Sequence, residues 1–139
     1  MLNFTSSNVA DRGQDFISHH LKNSDADYLI VAGHYPSSNV PHLTETLQGH
    51  GVSAYIHGHI HCQQYSLEND FHHIGSGAGC KISCDDSIGG GEDTGGFLSF
   101  KATPNVLVAT FHNQAGKEIK QVHIKPRKQQ DHEGTVAIL

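Results

Sequence analysis

Three histidines follow two apolar runs of the chain. His34 comes shortly after residues 27–32, and His59 and His61 come shortly after residues 52–56. Neutral imidazole is a common ligand of transition metals, and two such metals about 3.5–4 Å apart activate water for hydrolysis. The pattern predicts a metal site with hydrolytic chemistry.

Both runs predict buried strands that carry the histidines at their carboxyl ends. Residues 27–32 are β-branched and aromatic without alternation, which is typical of a strand covered on both faces. Gly33 allows a tight turn there, and Pro36 prevents a helix near His34. An extended chain from 59 to 61 would place the backbones of the two histidines about 6–7 Å apart with their rings on one side, a spacing that suits two metals better than one.

The alternative is that these are ordinary histidines. The chain has 13 of them, and most histidines in proteins are partly exposed or hydrogen-bonded to a neighbour. Three at two strand ends, each close to a glycine, favour the metal interpretation.

Two motifs, VAGHYP at 31–36 and GHIH at 58–61, resemble the C-terminal metal motifs of the calcineurin-like metallophosphoesterases. Within that family they are most similar to the small purple, or tartrate-resistant, acid phosphatases. The resemblance extends over residues 12–128, including a glycine loop at 75–79 and closing strands at 95–127.

The resemblance implies an acid phosphatase, which hydrolyses phosphate monoesters by in-line attack of a metal-activated hydroxide. It implies that His34 and His59 bind a divalent metal and His61 a ferric ion, in a dinuclear centre of iron with iron, zinc or manganese. The expected substrates are phosphorylated small molecules or phosphoproteins. It also implies a secreted or lysosomal/vacuolar protein.

The chain departs from the family in its missing acidic motifs. No Gly-Asp dipeptide and no Gly-Asn-His occurs in the 139 residues, so the family's aspartate, tyrosine and asparagine ligands have no counterparts. Imidazoles supply no negative bridge between two cations. The resemblance is therefore to a C-terminal half, which would be inactive without its N-terminal half as a partner. The alternatives are a noncatalytic metal-binding remnant and an interaction module.

Two further histidines have open roles. His42 either contacts the substrate phosphate or opens the following helix, and Pro41 and Thr44 favour the helix start. His57 is not expected to be a ligand, although it lies close enough to hydrogen-bond one.

The cysteines allow two arrangements: a local Cys80–Cys84 disulfide or three free thiols, with Cys62 as a small buried residue.

The predicted fold class is α/β, and the resemblance implies half of a four-layer α-β-β-α sandwich. The predicted domain boundaries are a disordered extension at 1–11, the half-domain at 12–128 and a mobile tail at 129–139. Helices are predicted at 12–22 and 43–49, a long loop at 75–96, and further strands at 64–67, 71–74, 97–102, 106–113 and 118–125.

Composition limits the partners. The net charge of −5 argues against nucleic acid, and no apolar run is long enough to span a membrane. The N-terminus lacks the features of a secretory signal. Without a partner half, the inner sheet faces would be partly uncovered, so we expect the isolated chain to be unstable or prone to aggregate.

Overall fold

The computed structural model describes residues 7–77, 88, 95–127 and 136–139, with side chains from residue 13 onward. Its elements, in chain order, are α1 (Ser7–Asn23), β1 (Tyr28–Gly33), a 3-10 turn (Ser37–Asn39), α2 (Leu43–Gly49), β2 (Ala54–His57), β3 (Gln63–Glu68), β4 (Phe71–Ser76), β5 (Gly96–Ala102), β6 (Leu107–Asn113), β7 (Glu118–Ile124) and β8 (Val136–Ile138). Among these described residues, no helix is long and apolar enough to cross a membrane.

The strands form two sheets. The larger has the order β3-β4-β2-β1-β8, in which only β3 runs antiparallel to its neighbour, and the smaller has the antiparallel order β5-β6-β7. Gly33 lies opposite His57, and His57 lies opposite Gly75. This register brings the carboxyl ends of β1, β2 and β4 to one edge of the larger sheet, where both histidine motifs begin.

Two cores hold the layers together. The helices α1 and α2 pack on one face of the larger sheet, where the buried residues are Ile17, Leu21, Leu29, Val31, Val40, Leu43, Leu47, Val52, Tyr55 and Phe71. The other face packs against the smaller sheet through Tyr28, Ile30, Ala54, Ile74, Leu107, Ala109, Phe111, Val122 and Ile124. The predicted α/β class is confirmed, as an α-β-β arrangement in the described part of the chain.

The described elements match the predicted ones to within a few residues, with two informative differences. The loop predicted at 75–96 begins later, because Gly75 and Ser76 continue β4 by pairing with Gln64 and Gln63. Most of the rest of that loop lies outside the described residues. At the other end of the chain, Val136–Ile138 forms a strand within the predicted mobile tail.

The ends of the predicted domain contain regular structure. Helix α1 begins at Ser7, inside the extension predicted to be disordered. Strand β8 forms because its backbone pairs with the outer edge of β1, in parallel. The Leu139 amide also donates to the Ile30 carbonyl, at 2.9 Å. The boundaries themselves stay a prediction.

Cys62 corrects the cysteine prediction. Its side chain is fully buried, as expected, but it is disulfide-bonded. The expectation that Cys62 is a free thiol, and with it the arrangement of three free thiols, was wrong. The other two cysteines lie outside the described residues.

Candidate metal centre

His34 and His59 lie side by side at the carboxyl edge of the larger sheet. The amides of Gly58 and His59 both donate to the His34 carbonyl, at 3.2 and 2.8 Å. These bonds tie the turn after β1 to the turn after β2. Nε2 of His34 lies 3.2 Å from Nδ1 of His59, with the ring planes inclined at 73°. Both residues are exposed, so the pair lies at the surface, where an ion from solvent can reach it.

Tyr35 and Tyr55 support the histidine pair from below. The Tyr35 ring packs against both imidazoles, with centroid distances of 4.9 Å to His34 and 4.4 Å to His59. The Tyr55 hydroxyl donates to the Tyr35 carbonyl at 2.8 Å. Burial raises the pKa of Tyr55 to about 12, so this hydroxyl keeps its proton and the bond persists.

Gly33 is needed for space rather than for an unusual backbone angle. It is not among the residues with positive φ, and a Cβ at this position would collide with the Tyr55 hydroxyl. The predicted role in a tight turn is therefore replaced by a packing role. The missing side chain lets Tyr55 reach Tyr35 beneath the histidines.

The spacing of His34 and His59 fits a shared metal ion. Imidazole nitrogens bind zinc at about 2.0–2.1 Å, so two of them on one ion are about 3–3.4 Å apart at ordinary ligand angles. The observed 3.2 Å lies inside that range. Within the residues that the structure describes, no group of three or more His, Cys, Asp or Glu side chains is arranged to hold a metal. The pair thus supplies two ligands of an ion that needs further ones.

His61 does not continue an extended strand. Residues 59–62 form a bend, closed by a hydrogen bond of 2.8 Å from the Cys62 amide to the Ile60 carbonyl. The premise of an extended chain between the two motif histidines was therefore wrong. His61 is half-buried, and its assignment to a second metal stays a prediction.

His42 lies at the start of α2. It is exposed, and its backbone is left-handed, with a φ of 60°. Its carbonyl accepts hydrogen bonds from the amide and the hydroxyl of Thr46, at 3.1 and 2.8 Å. This position agrees with the helix-start interpretation. Contact with a substrate phosphate stays a prediction.

Two further histidines have a buried ring nitrogen: His57, which is buried, and His73, which is half-buried and was not anticipated. Nδ1 of His57 and Nε2 of His73 have no hydrogen-bond partner in the described structure. Burial lowers the pKa of His57 to about 4, with smaller contributions from His73 and His59. The sequence did carry a signal for His73. It lies two residues after the apolar Phe71, and strand alternation places both side chains on the helix-covered face of β4.

Comparison with known proteins shows which class the chain is similar to. A family model described as calcineurin-like phosphoesterase matches residues 2–63, which include both histidine motifs. With this match and its two-sheet α/β fold, the chain is similar to the calcineurin-like phosphoesterases, the family that its motifs resemble.

The curated relatives narrow the comparison to purple acid phosphatases. The chain is similar to tartrate-resistant acid phosphatase type 5 of Oryctolagus cuniculus, with 27% identity covering 81% of this chain and 42% of the relative. The corresponding protein of Sus scrofa is 28% identical, covering 85% and 42%. The chain therefore spans less than half the length of these relatives.

A solved structure supports the fold. The chain superposes on GAP50, the anchor in the inner membrane complex of Plasmodium, with a TM-score of 0.73. The alignment covers 99% of this chain and 48% of that one, at 22% sequence identity.

Proposed function

We propose that this chain is part of a metal-dependent phosphomonoester hydrolase, an acid phosphatase with a dinuclear centre. His34 and His59 hold its divalent metal, and His61 holds the second metal. The observation that carries the proposal is the 3.2 Å separation between Nε2 of His34 and Nδ1 of His59, which suits one shared ion. The phosphoesterase family and the acid phosphatase relatives support the reaction class.

The chain's own residues prepare the site for metals. Gly58 and His59 amides fix the His34 carbonyl, and the Tyr35 ring limits rotation of both imidazoles. An imidazole binds a cation through the lone pair of an unprotonated ring nitrogen, and each of the two rings carries such a donor. When bound, the metals would lower the pKa of water and neutralise charge on the phosphoryl oxygens.

Anionic ligands have to complete the centre. Two cations about 3.5–4 Å apart repel strongly unless carboxylates bridge them, and His34, His59 and His61 bring no negative charge. We propose that a second segment, corresponding to the other half of the longer relatives, supplies them. The metals are iron with iron, zinc or manganese, and His42 contacts the phosphate of a small molecule or a phosphoprotein.

The proposed location is outside the cytosol, in a secreted or lysosomal/vacuolar compartment. The disulfide at Cys62 supports it, because disulfides persist in oxidising compartments and are rare in the cytosol.

Zinc titration of the chain tests the histidine pair. We expect saturable binding by calorimetry that weakens about tenfold or more, about 1.4 kcal/mol or more, in His34→Gln and in His59→Gln, because each loses one of two nitrogen ligands. His19→Gln is the matched control, since His19 is an exposed histidine on α1 away from the site. Equal zinc binding by all three variants would contradict a site at His34 and His59.

Hydrolysis of an aryl phosphate by the metal-loaded chain then separates the catalytic proposal from a metal-binding remnant. Because the proposed centre needs anionic ligands, the phosphatase proposal expects hydrolysis when the segment that supplies them is added, at a rate that depends on added metal, is lost in the His34 and His59 variants and is kept in the His19 variant. Tight zinc binding without hydrolysis in the presence of that segment would leave a noncatalytic metal site.

A further inference from the structure

A second concave site lies at the opposite edge of the larger sheet from the histidines. A pocket of about 720 Å³ opens where β2 and β4 begin, between the α2–β2 connection, the β3–β4 hairpin and the end of β7. From Ser53 at this edge to His59 is six residues of near-extended chain, about 20 Å. The pocket is therefore separate from the proposed metal centre. Its volume lies within the usual range for small-molecule sites.

The charges around the pocket favour an anion. Lys125 and Arg127 line it with His72 and His123, whereas Asp70 is the one carboxylate in its lining. The chain as a whole carries a net charge of −5, so a locally positive pocket stands out against the overall charge. Small anions would be attracted to this edge rather than to the surface in general.

Arg127 is held in place for such a role. Its guanidinium donates to the Ala26 carbonyl at 3.4 Å and to the His50 carbonyl at 3.1 Å. Its own amide donates to the Asp27 carbonyl at 2.7 Å. A guanidinium has five N–H donors, so the two bonds orient the group and leave donors for a ligand. A fixed fork of donors is suited to carboxylate and phosphate oxygens.

Apolar surface accompanies the positive charge. The pocket is also lined by Val52, Leu67, Phe71, Ile124 and Pro126. Leu67 is 53% exposed although it is a large apolar side chain, so a ligand that covers it would remove apolar area from water. A free inorganic ion would use the cations but not these side chains.

We propose that this pocket binds a small organic anion, with its acidic headgroup at Lys125 and Arg127 and its apolar body against Leu67 and the neighbouring apolar lining. A phosphorylated and a carboxylated molecule share this chemistry. The site is distinct from the phosphate site of the proposed hydrolase.

The test uses phenylphosphonate, which cannot be hydrolysed at a phosphoester bond, and benzoate, each added to the chain in EDTA so that the histidine pair holds no metal. We expect a saturable shift of the His72 and His123 ring-proton NMR signals, with His34 and His59 unaffected. Lys125→Gln should weaken binding about tenfold, since it removes one of two cations. Lys117→Gln, an exposed lysine in the β6–β7 turn, should bind as the wild type does.

The two probes distinguish the headgroups. Binding of phenylphosphonate alone identifies a phosphate-type ligand, binding of benzoate alone identifies a carboxylate, and either supports the site. Benzamide has the same ring without the charge, and equal binding of benzamide would overturn the proposal. So would the absence of a saturable shift with both anions, or unchanged affinity in Lys125→Gln. Because Arg127 also anchors backbone carbonyls, Lys125 is the residue to vary: it is exposed, so its substitution is expected to leave the fold intact.

Discussion

Two histidines only two positions apart have opposite environments. His59 is exposed and paired with His34, whereas His57, at the end of β2, is 6% exposed. A metal ligand has to be reached by the ion, and a buried imidazole has to stay neutral because desolvation disfavours its charged form. Alternation would place both side chains on one face, so it is the end of β2 at His57 and the bend that begins at His59 that separate the candidate ligand from the buried imidazole.

The buried imidazole makes stability depend on pH. The pKa of His57 falls from 6.5 to about 4 on folding. Between these two pH values, His57 is therefore mostly protonated in the unfolded chain and mostly neutral in the folded chain. This difference does not change the free energy of unfolding above pH 6.5. As the pH falls toward 4, it lowers that free energy by up to about 3 kcal/mol. We expect the urea midpoint, measured in EDTA, to drop between pH 7.5 and pH 4.

His57→Leu isolates this contribution. The variant should lose less stability over the same pH interval, although a slope remains because burial also lowers the pKa values of His72 and His73. His19→Leu, the matched change at an exposed histidine, should leave the pH dependence of stability the same as in the wild type. The same pH dependence in His57→Leu and the wild type would show that His57 is not the titrating group.

At the scale of elements, β1 depends on neighbours on both sides. Its residues 28–31 are buried, and its inner edge pairs with β2 while its outer edge pairs with β8. The Ala32 amide donates to the Leu139 carbonyl at 2.9 Å. A three-residue strand from the far end of the chain therefore completes the hydrogen bonding of the strand that presents His34.

Substitutions on the two faces of β8 test this dependence. Ala137 packs against the helix-side core, whereas Ile138 is 65% exposed. Ala137→Asp should place a carboxylate in an apolar contact, cost about 1–3 kcal/mol and speed hydrogen exchange at the Ala32 amide. Ile138→Asp should change stability by less than about 0.5 kcal/mol. Protected exchange at Ala32 in Ala137→Asp would show that β8 does not support β1.

At the scale of the whole molecule, part of the inner surface of the smaller sheet is uncovered. Phe100 lies opposite the fully buried Ala109, on the face that packs against the larger sheet, yet it is 37% exposed. Leu98 on the same face is half-buried. Phe100 and Leu98 therefore leave apolar area of this face open to solvent.

The uncovered face predicts self-association of the isolated chain. Light scattering over a concentration series should show assembly that decreases in Phe100→Ser, because contiguous exposed apolar area drives association. Phe16→Ser is the matched control, since Phe16 is 49% exposed but lies on α1. A monomer at all concentrations, with a sharp cooperative thermal transition, would contradict the prediction.

Local sequence determined the elements and the positions of the candidate ligands. The apolar runs before His34 and His59 specify strands by composition, and the GHIH and VAGHYP motifs mark their ends. Side-chain type and short spacing are sufficient for such predictions, because strand formation and the turn after it depend on adjacent residues.

Only the tertiary structure decided which of these residues meet. The 3.2 Å approach of His34 and His59 depends on the register that sets Gly33 opposite His57, and the bend at 59–62 removes the extended geometry expected for His61. The pairing of β8 with β1 joins segments about a hundred residues apart in the chain. Register and burial arise from contacts between distant segments, and no local spacing encodes them.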